Sequence, residues 1–546
     1  MERKEAGKSS MTSGFLWYDN SSTPLEEKVR QAARGYQEKF GCWPTVCYVW
    51  APSKTMEQVD GIRVLTAANL LPGYFWLGIV ALVSGKSEWS FGAIVVKWAY
   101  PICQEVSRMS LLDTAISYTM EALCTITEGL PIGTNLGLLH FLWMQISGSL
   151  LPSRGALFPG LQAIGLQPAA IRRAWAAFRY GAWQIDDLLT AWEDYVAEQG
   201  QWQERQYDGY RPKAVDLTAY WRPTLRGLKT KHYYPPAGKA LPAVVIGIIA
   251  RVGSVNGQRV AVITDLVRAD PADPSESSLQ ARVVHQAAKT LGEDEMPVFD
   301  AGFKIRELRE ADLPRYVVRL AVNFTARQNV LPSYKGRGCR PKYGKLVRPL
   351  ARKGRKGNLI PATPPDRVET WTENGIEFRA EFWDNLVLPD VKVHPDNPTF
   401  TVVAVYDPRF RQPWLLACPL RLSGPTLRGL YRDRWPVEQI PLAGKQMLGG
   451  ARQFVFAPES CQRLPELNLL AGAIVTYLAA TLPAVPTGFW DRNPKPTPGR
   501  LRRLLARANF PKLYPLLERL RKKDSICDHL PKGILGHRRT KQAAGA

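Results

Sequence analysis

The chain has 546 residues, 45% of them hydrophobic, and this length exceeds what one hydrophobic core usually serves. Its 8 cysteines are scattered without a CxxC pair, which excludes a small disulfide scaffold. The 72 Lys and Arg against 49 Asp and Glu leave a net charge of +23. A multidomain globular protein with a polyanionic partner is therefore predicted. Nucleic acid comes first, because a membrane surface would call for a basic amphipathic helix or a lipidation motif, and neither is found.

Residues 1–88 are predicted to form a small α/β unit of unknown role. A helical pattern covers Pro24–Phe40, and strands are predicted at Thr45–Trp50 and Ile62–Leu65. The charged start lacks the apolar core of a signal peptide, so a cytoplasmic, nucleoid-associated location in a prokaryote is expected. Two apolar stretches, Leu70–Val83 and Leu130–Leu151, predict buried helices and not membrane spans.

Residues 89–205 have the apolar spacing of helices. The pattern is clear at Ile171, Ala174, Trp175 and Phe178, which recur at three and four residues. A helical domain ahead of a catalytic domain is predicted to bind DNA ends. A scaffold bundle without DNA contacts explains the same pattern equally well.

Residues 206–325 change to a strand pattern. The predicted strands are Ala214–Tyr220, Ala243–Val252, Arg259–Val267, Met296–Phe299 and Arg315–Phe324. The second and third are joined by an Asn256-Gly257 hairpin turn, and Asp273 is predicted to cap the helix that follows. A three-strand meander followed by helix, strand, helix and strand is the order of a ribonuclease-H-like core, so the predicted fold class is α/β.

Residues 326–420 are predicted to be a β-rich insertion that interrupts this core. Strand alternation covers Glu369–Leu388, broken by a turn at residues 373–375, and Thr399–Leu420. The second part of the core is predicted at 421–490. A basic tail follows at 491–546, where Arg500–Ala546 holds 13 Lys and Arg against 3 acids.

The most specific motif contains Tyr431, Arg434, Glu438 and Lys445, at spacings of three, four and seven. On a helix these steps return to one face, so the four side chains are predicted to converge on one ligand. A carboxylate, a forked guanidinium, an ammonium and a hydroxyl suit a phosphate beside a metal ion.

Two prolines within the motif modify this interpretation. Pro436 and Pro441 predict a helix that begins near Pro436 or is kinked. Tyr431 and Arg434 would then lie in the preceding turn.

The motif spacing resembles the Y-R-E-K motif of the DDE transposases in the insertion-sequence-four family. In that family the first aspartate has a D-x-T context, which Asp216 and Thr218 match. The second has a D-x-G-F context, which Asp300, Gly302 and Phe303 match. A β-rich insertion before the glutamate is a further family feature. The resemblance covers residues 91–480, departs at the two prolines and does not reach residues 1–88.

This resemblance implies that Asp216, Asp300 and Glu438 are catalytic and hold two Mg²⁺ or Mn²⁺ ions, which prefer oxygen ligands. It implies cut-and-paste transposition, with the terminal inverted repeats and the target DNA as double-stranded partners and a homodimer on DNA. Asp208 and Asp265 are rivals for the first ligand. Asp216 is preferred because it lies in the first strand and has the D-x-T context.

A basic loop supplies the other predicted DNA contacts. No acidic residue occurs in Leu313–Pro365. The candidate DNA-binding residues in the loop are Lys335, Arg337, Arg340, Lys342, Arg352, Lys353, Arg355 and Lys356. Tyr334 and Tyr343 are candidates for base stacking. A solvated loop without DNA contacts is the alternative.

Trp435 follows Arg434 in the Y-R-E-K motif. It is predicted either to stack on a distorted base or to belong to the core.

Two other functions are compatible with the same sequence features. A metal-dependent nuclease would use the same carboxylates to cut DNA without joining strands. A DNA-binding regulator would use the basic loop and tail without using the acids.

Overall fold

The computed structural model describes residues 15–50, 58–67, 74–78, 111–511 and Leu520, apart from residues 20, 22, 41, 335, 337, 355, 356 and 489. The chain divides into two compact units, Met1–Ser110 and Leu111–Ala546. Both contain helices and β-sheet, so the fold class is mixed α/β. The predicted basic tail is described only up to residue 511 and at Leu520.

The first unit packs one helix against one sheet. Its elements are β1 (Phe15–Tyr18), α1 (Leu25–Phe40), β2 (Val46–Trp50), β3 (Gln58–Val59), β4 (Ile62–Ala67) and β5 (Tyr74–Gly78). The sheet order is β1-β5-β2-β4-β3. Val29 and Ala33 of α1 are buried in one core with Val49 and Val64 of the sheet. The predicted helix and two strands are confirmed.

The prediction of a buried helix over Leu70–Val83 is wrong where this stretch is described. Residues Tyr74–Gly78 form β5, which pairs with β1 and β2. Three consecutive aromatic residues occur at 74–76, and aromatic residues as a type favour strands.

The second unit begins with helices. They are α2 (Leu111–Glu128), α3 (Thr134–Ile146), α4 (Leu157–Ala163), α5 (Pro168–Tyr180) and α6 (Ile185–Gln199). Ile171, Ala174 and Phe178 are buried on one face of α5, as their spacing predicts. The stretch Leu130–Leu151 contains α3, of which twelve residues are buried, so the buried helix predicted there is confirmed.

The central sheet follows the helices. Its first elements are β6 (Gln203–Glu204), β7 (Arg211–Trp221), β8 (Lys231–Tyr234), β9 (Lys239–Val255), β10 (Gln258–Arg268), α7 (Glu276–Lys289), β11 (Glu295–Phe299), α8 (Ile305–Glu310) and β12 (Val317–Arg319). The strand order is β10-β9-β7-β11-β12. The strands β7, β9 and β10 are antiparallel neighbours, and β11 is parallel to both β7 and β12. The hairpin turn has positive φ at Asn256 and Gly257.

Two local predictions in this region are wrong. The cap of α7 is Ser275, whose side chain accepts from the Ser278 amide, whereas Asp273 accepts from the Ser275 amide before the helix starts. The strand predicted over Arg315–Phe324 is only the three-residue β12, because the chain turns where the Phe324 amide donates to the Ala321 carbonyl.

Two cores cover the two faces of this sheet. In β9, Ile246, Ile248 and Ala250 belong to the core shared with the helices, whereas Val245 and Ile249 belong to the core shared with α7. Adjacent side chains of a strand point to opposite faces, which explains this alternation. The sheet is thus buried on both sides.

The segment after β12 is rich in β-structure. Its strands are β13 (Ala326–Gln328), β14 (Leu346–Val347), β15 (Arg352–Lys353), β16 (Leu359–Ile360), β17 (Arg367–Glu373), β18 (Ile376–Val387), β19 (Phe400–Tyr406) and β20 (Trp414–Cys418). The strands β17 and β18 form a hairpin whose turn has positive φ at Asn374 and Gly375, as predicted. Because β20 pairs with β12, the segment continues the central sheet.

The chain then returns to helices. These are α9 (Gly424–Arg432), α10 (Pro436–Leu442), α11 (Pro458–Thr481) and α12 (Pro498–Leu505), with a π-helical turn at Ala443–Met447 between α10 and α11. Among the described residues, α11 alone is long and apolar enough to cross a membrane, and 94% of its apolar window is buried inside the fold. Such burial is also found in the core helices of soluble domains.

Candidate active site

Asp216 and Asp300 lie on neighbouring strands. Val298 pairs with Ala214 and Phe299 with Val215, so the parallel register places Asp300, at the end of β11, beside Asp216. Asp216 lies in the middle of β7, and its Oδ1 accepts from the Leu217 amide at 2.8 Å. A pair of residues 84 positions apart in the sequence is thus brought together by the register of one strand pair.

Glu438 reaches the same place from α10. This helix has Pro436 in its first turn, as the sequence predicts, and it contacts β7. The four motif residues do not share one helix face, however. Tyr431 lies in the last turn of α9, Arg434 in the turn between the helices, and Lys445 in the π-helical turn. Pro436 divides the motif because a proline cannot continue a helix from the preceding turn, whereas Pro441 lies inside α10.

Arg434 connects the carboxylates. Its Nη2 donates to Glu438 Oε1, and its Nη1 lies 3.9 Å from Asp216 Oδ2. Burial opposes its charge, but Asp300, Tyr431, Glu438 and Asp216 together raise the pKa of Arg434 above its ordinary value. The side chain is 8% exposed, and its Nε and Nη1 have no hydrogen-bond partner among the described residues. Arg434 therefore keeps donors for an anionic ligand.

Tyr431 contacts the second aspartate. Its hydroxyl donates to Asp300 Oδ1 at 3.2 Å, while Arg319 Nη1 donates to the same hydroxyl at 3.4 Å. Sequence reasoning missed Arg319. An arginine directly after the buried pair Val317 and Val318 of β12 is the signal that could have identified it.

The three carboxylates at the site repel one another. Burial raises the pKa of Asp216 to about 7, Arg434 opposes this rise, and the carboxylates of Glu438 and Asp300 add to it. Among the described residues, no three His, Cys, Asp or Glu side chains are already gathered closely enough to hold a metal ion. Yet the donor set fits a hard divalent ion: all three donors are carboxylates, and their mutual repulsion would be relieved by a cation.

Lys445 contacts β7 two residues beyond Asp216. Its Nζ donates to Thr218 Oγ1 at 2.6 Å and lies 4.8 Å from the centre of the Tyr220 ring and 5.4 Å from that of Trp221. Burial lowers the pKa of Lys445 to about 8, and Asp216 opposes this change. Thr218, the third residue of the D-x-T context, thus positions the ammonium.

A second buried carboxylate anchors the motif from behind. Asp433 is fully buried and accepts from Arg205 Nε at 2.7 Å, Tyr207 Oη at 2.8 Å and Arg259 Nε at 2.6 Å. These contacts fix the turn that carries Arg434. No local pattern indicates this role of Asp433, because all three partners lie more than 170 residues away along the chain.

The rival aspartates have other partners. Asp208 accepts from Thr426 Oγ1. Asp265 accepts from Gln286 Nε2 at 2.6 Å and from Thr264 Oγ1 at 2.8 Å, and its charge raises the pKa of Glu193 after the larger effect of burial. Neither carboxylate contacts Arg434 in the described part of the chain, so Asp216 stays the preferred first ligand.

The basic loop belongs to the β-rich segment. Lys335, Arg337, Arg355 and Lys356 lie outside the described residues. The guanidinium of Arg340 lies 5.9 Å from the Tyr334 ring, and Arg352 Nη1 donates to the Asn323 carbonyl at 2.7 Å. Arg340, Lys342 and Lys353 are exposed. No contact of these residues with the three carboxylates is found among the described residues.

Trp435 is 58% exposed, so the prediction that it belongs to the core is wrong. Its neighbours Arg434 and Val437 are buried, and the ring is left on the solvent side of the turn that leads into α10. The other prediction, stacking on a base, remains.

No protein-family model and no curated protein sequence matches this chain.

Proposed function

We propose that the protein is a DDE transposase that cleaves insertion-sequence DNA ends and joins them to target DNA. The observation that carries the proposal is that three distant segments bring their carboxylates together: Arg434 donates to Glu438 and lies 3.9 Å from Asp216, and the strand register places Asp300 beside Asp216. Three carboxylates around one buried arginine form a site for metal-assisted phosphoryl transfer.

The sheet supports a ribonuclease-H-like catalytic core as part of this proposal. The sheet order is β10-β9-β7-β11-β12, in which β10, β9 and β7 are antiparallel and β11 and β12 follow β7 as parallel strands. This arrangement agrees with a predicted meander of three strands that is followed by helix, strand, helix and strand. Asp216 and Asp300 lie on the two adjoining central strands. The helix of Glu438 packs on the face of β7 to which Asp216 points.

Each polar side chain has a role in the proposed reaction. Asp216, Asp300 and Glu438 would hold two Mg²⁺ or Mn²⁺ ions, which activate the attacking hydroxyl and stabilise the leaving oxygen. Arg434 offers its Nε and Nη1, which have no hydrogen-bond partner among the described residues, to phosphate oxygens. Lys445 supplies a positive charge beside Thr218, and Tyr431 orients Asp300.

Double-stranded DNA is the proposed partner, and the net charge of +23 supports it. Exposed Arg340, Lys342 and Lys353 provide phosphate contacts away from the carboxylates. A homodimer on DNA is part of the proposal, since two ends are joined in one reaction.

The test is a strand-transfer assay. Pre-cut DNA ends from the sequences that flank the gene are mixed with a supercoiled target plasmid and Mg²⁺, and joined products are separated on a gel. We expect the intact protein to give joined product and Glu438→Gln to give none. Glu293→Gln, at an exposed glutamate that precedes β11 and so lies at the opposite end of this strand from Asp300, is the matched control and should join normally.

Each other outcome has a clear meaning. Cutting without joining would replace the transposase by a metal-dependent nuclease with the same carboxylates. DNA binding without cutting or joining would favour a regulator. Joined product from Glu438→Gln, in a variant that keeps the circular dichroism spectrum of the intact protein, would overturn the assignment of Glu438.

A further inference from the structure

The segment 452–456 holds two phenylalanine rings in solvent. Phe454 is 55% exposed and Phe456 is 72% exposed, whereas Gln453 and Val455 are 6% and 2% exposed. Arg452 is also exposed, so exposure alternates residue by residue. In an extended chain, alternate side chains point to the same side. Arg452, Phe454 and Phe456 thus form one outward row.

The buried residues between the rings fix this row. Arg222 Nη2 donates to the Val455 carbonyl at 2.7 Å, and Cys461 Sγ donates to the same carbonyl at 3.4 Å. Gln453 Nε2 donates to the Gly450 carbonyl at 3.4 Å. The rings therefore stay exposed because their neighbours are anchored in the fold. Exposing two anchored large rings is costly unless a ligand covers them.

Positive charge lies beside the rings. The Arg222 guanidinium is 5.9 Å from the centre of the Phe456 ring, and its Nη1 is buried without a hydrogen-bond partner among the described residues. Arg222 directly follows Trp221, whose ring lies 5.4 Å from Lys445 Nζ. The row of rings is thus connected to the candidate active site by the end of β7.

We propose that Phe454 and Phe456 stack on unpaired bases of a DNA strand beside the active site, with the exposed Arg452 on its phosphates and the buried Arg222 supplying positive charge beside the Phe456 ring. The inference rests on the proposed function, which supplies DNA as the ligand. Aromatic rings interleaved with arginines are the usual surface for single-stranded nucleic acid, because every base has a face on which a ring can stack. An apolar protein partner would not require the flanking guanidinium groups.

The test compares two DNA ligands by fluorescence anisotropy at fixed salt concentration. One is a blunt duplex, and the other is the same duplex with a five-nucleotide unpaired strand. We expect the intact protein to bind the second more tightly, and Phe454→Ala/Phe456→Ala to lose this preference with an affinity that falls by roughly ten-fold or more. Affinity for the blunt duplex should change less than about two-fold. Phe158→Ala, at a phenylalanine 46% exposed in α4, is the matched control and should bind both DNAs normally.

A second readout separates stacking from a merely structural role. A 2-aminopurine in the unpaired strand should be quenched on binding to the intact protein, not to the double variant, and Phe454→Tyr/Phe456→Tyr should restore quenching. If the intact protein binds neither DNA, the proposed function falls and this inference falls with it. If it binds the blunt duplex and the double variant keeps the preference for the unpaired strand, this inference alone is overturned, and a protein partner for the rings becomes the better explanation.

Discussion

The hydroxyl of Tyr431 donates a 3.2 Å hydrogen bond to Asp300 Oδ1, which ties the last turn of α9 to the end of β11. The two residues are 131 positions apart in the sequence. Through this bond Tyr431 of the Y-R-E-K motif holds the carboxylate of Asp300 in the D-x-G-F motif. In our proposal Tyr431 is therefore a positioning residue and not a metal ligand.

Tyr431→Phe should slow DNA cleavage with little effect on DNA binding. Loss of one hydrogen bond to a charged group corresponds to about 1.5–3 kcal/mol, so the cleavage rate should fall by roughly ten-fold to a hundred-fold. Single-turnover cleavage at saturating protein measures this rate. Tyr406→Phe is the control, since that hydroxyl donates to Glu381 Oε2 at 2.9 Å in the β-rich segment. An unchanged rate in Tyr431→Phe would remove the positioning role.

Lys445→Met should weaken binding of DNA ends and make it less sensitive to salt. Removing one phosphate contact reduces the slope of log affinity against log salt by about one. Because burial lowers the pKa of Lys445 to about 8, the ammonium loses its proton as pH rises through that value. The advantage of the intact protein over Lys445→Met should therefore shrink from pH 7 to pH 9. Equal salt slopes at pH 7 would place Lys445 away from phosphate.

Asp433→Asn should destabilise the fold strongly. The variant leaves two arginines and a tyrosine around a neutral amide in a fully buried place, and breaking a buried charge cluster in this way costs about 3–5 kcal/mol. Urea unfolding followed by circular dichroism measures the loss. Asp390→Asn, whose exposed carboxylate pairs with Arg306, should change stability by less than about 1 kcal/mol. Similar values for the two variants would contradict the anchoring role of Asp433.

His140→Gln should reduce the sensitivity of the fold to acid. Burial, with a smaller effect of Arg173, lowers the pKa of His140 to about 4, so the unfolded chain binds a proton between pH 6.5 and 4 that the folded chain does not. The intact protein should thus lose about 3 kcal/mol more stability than the variant over this range. Denaturant unfolding at pH 7 and pH 4.5 tests this. His394→Gln, at an exposed imidazole, should behave like the intact protein; the idea fails if the two variants have the same pH dependence.

Local patterns predicted many of the elements and few of their ends. The strand pattern predicted β7, β9 and β10, because strands that are buried on both faces of a sheet have long apolar runs. It overextended β12, because apolar residues continue into a turn that only tertiary contacts define. It missed Ser275 as a cap, since Asp273 is an equally good capping residue by type.

The sequence by itself determined the basic charge, the α/β class and the order of the main helices and strands along residues 206–325, because these depend on composition and on the spacing of neighbouring residues. Only the tertiary structure decided that Asp300 lies beside Asp216, that Arg434 bridges Asp216 and Glu438, and that Arg319 and Asp433 support the motif. It also decided that Phe454, Phe456 and Trp435 face solvent. These relationships join residues across the sheet or depend on how segments pack, and the spacing of a local pattern carries no information about either.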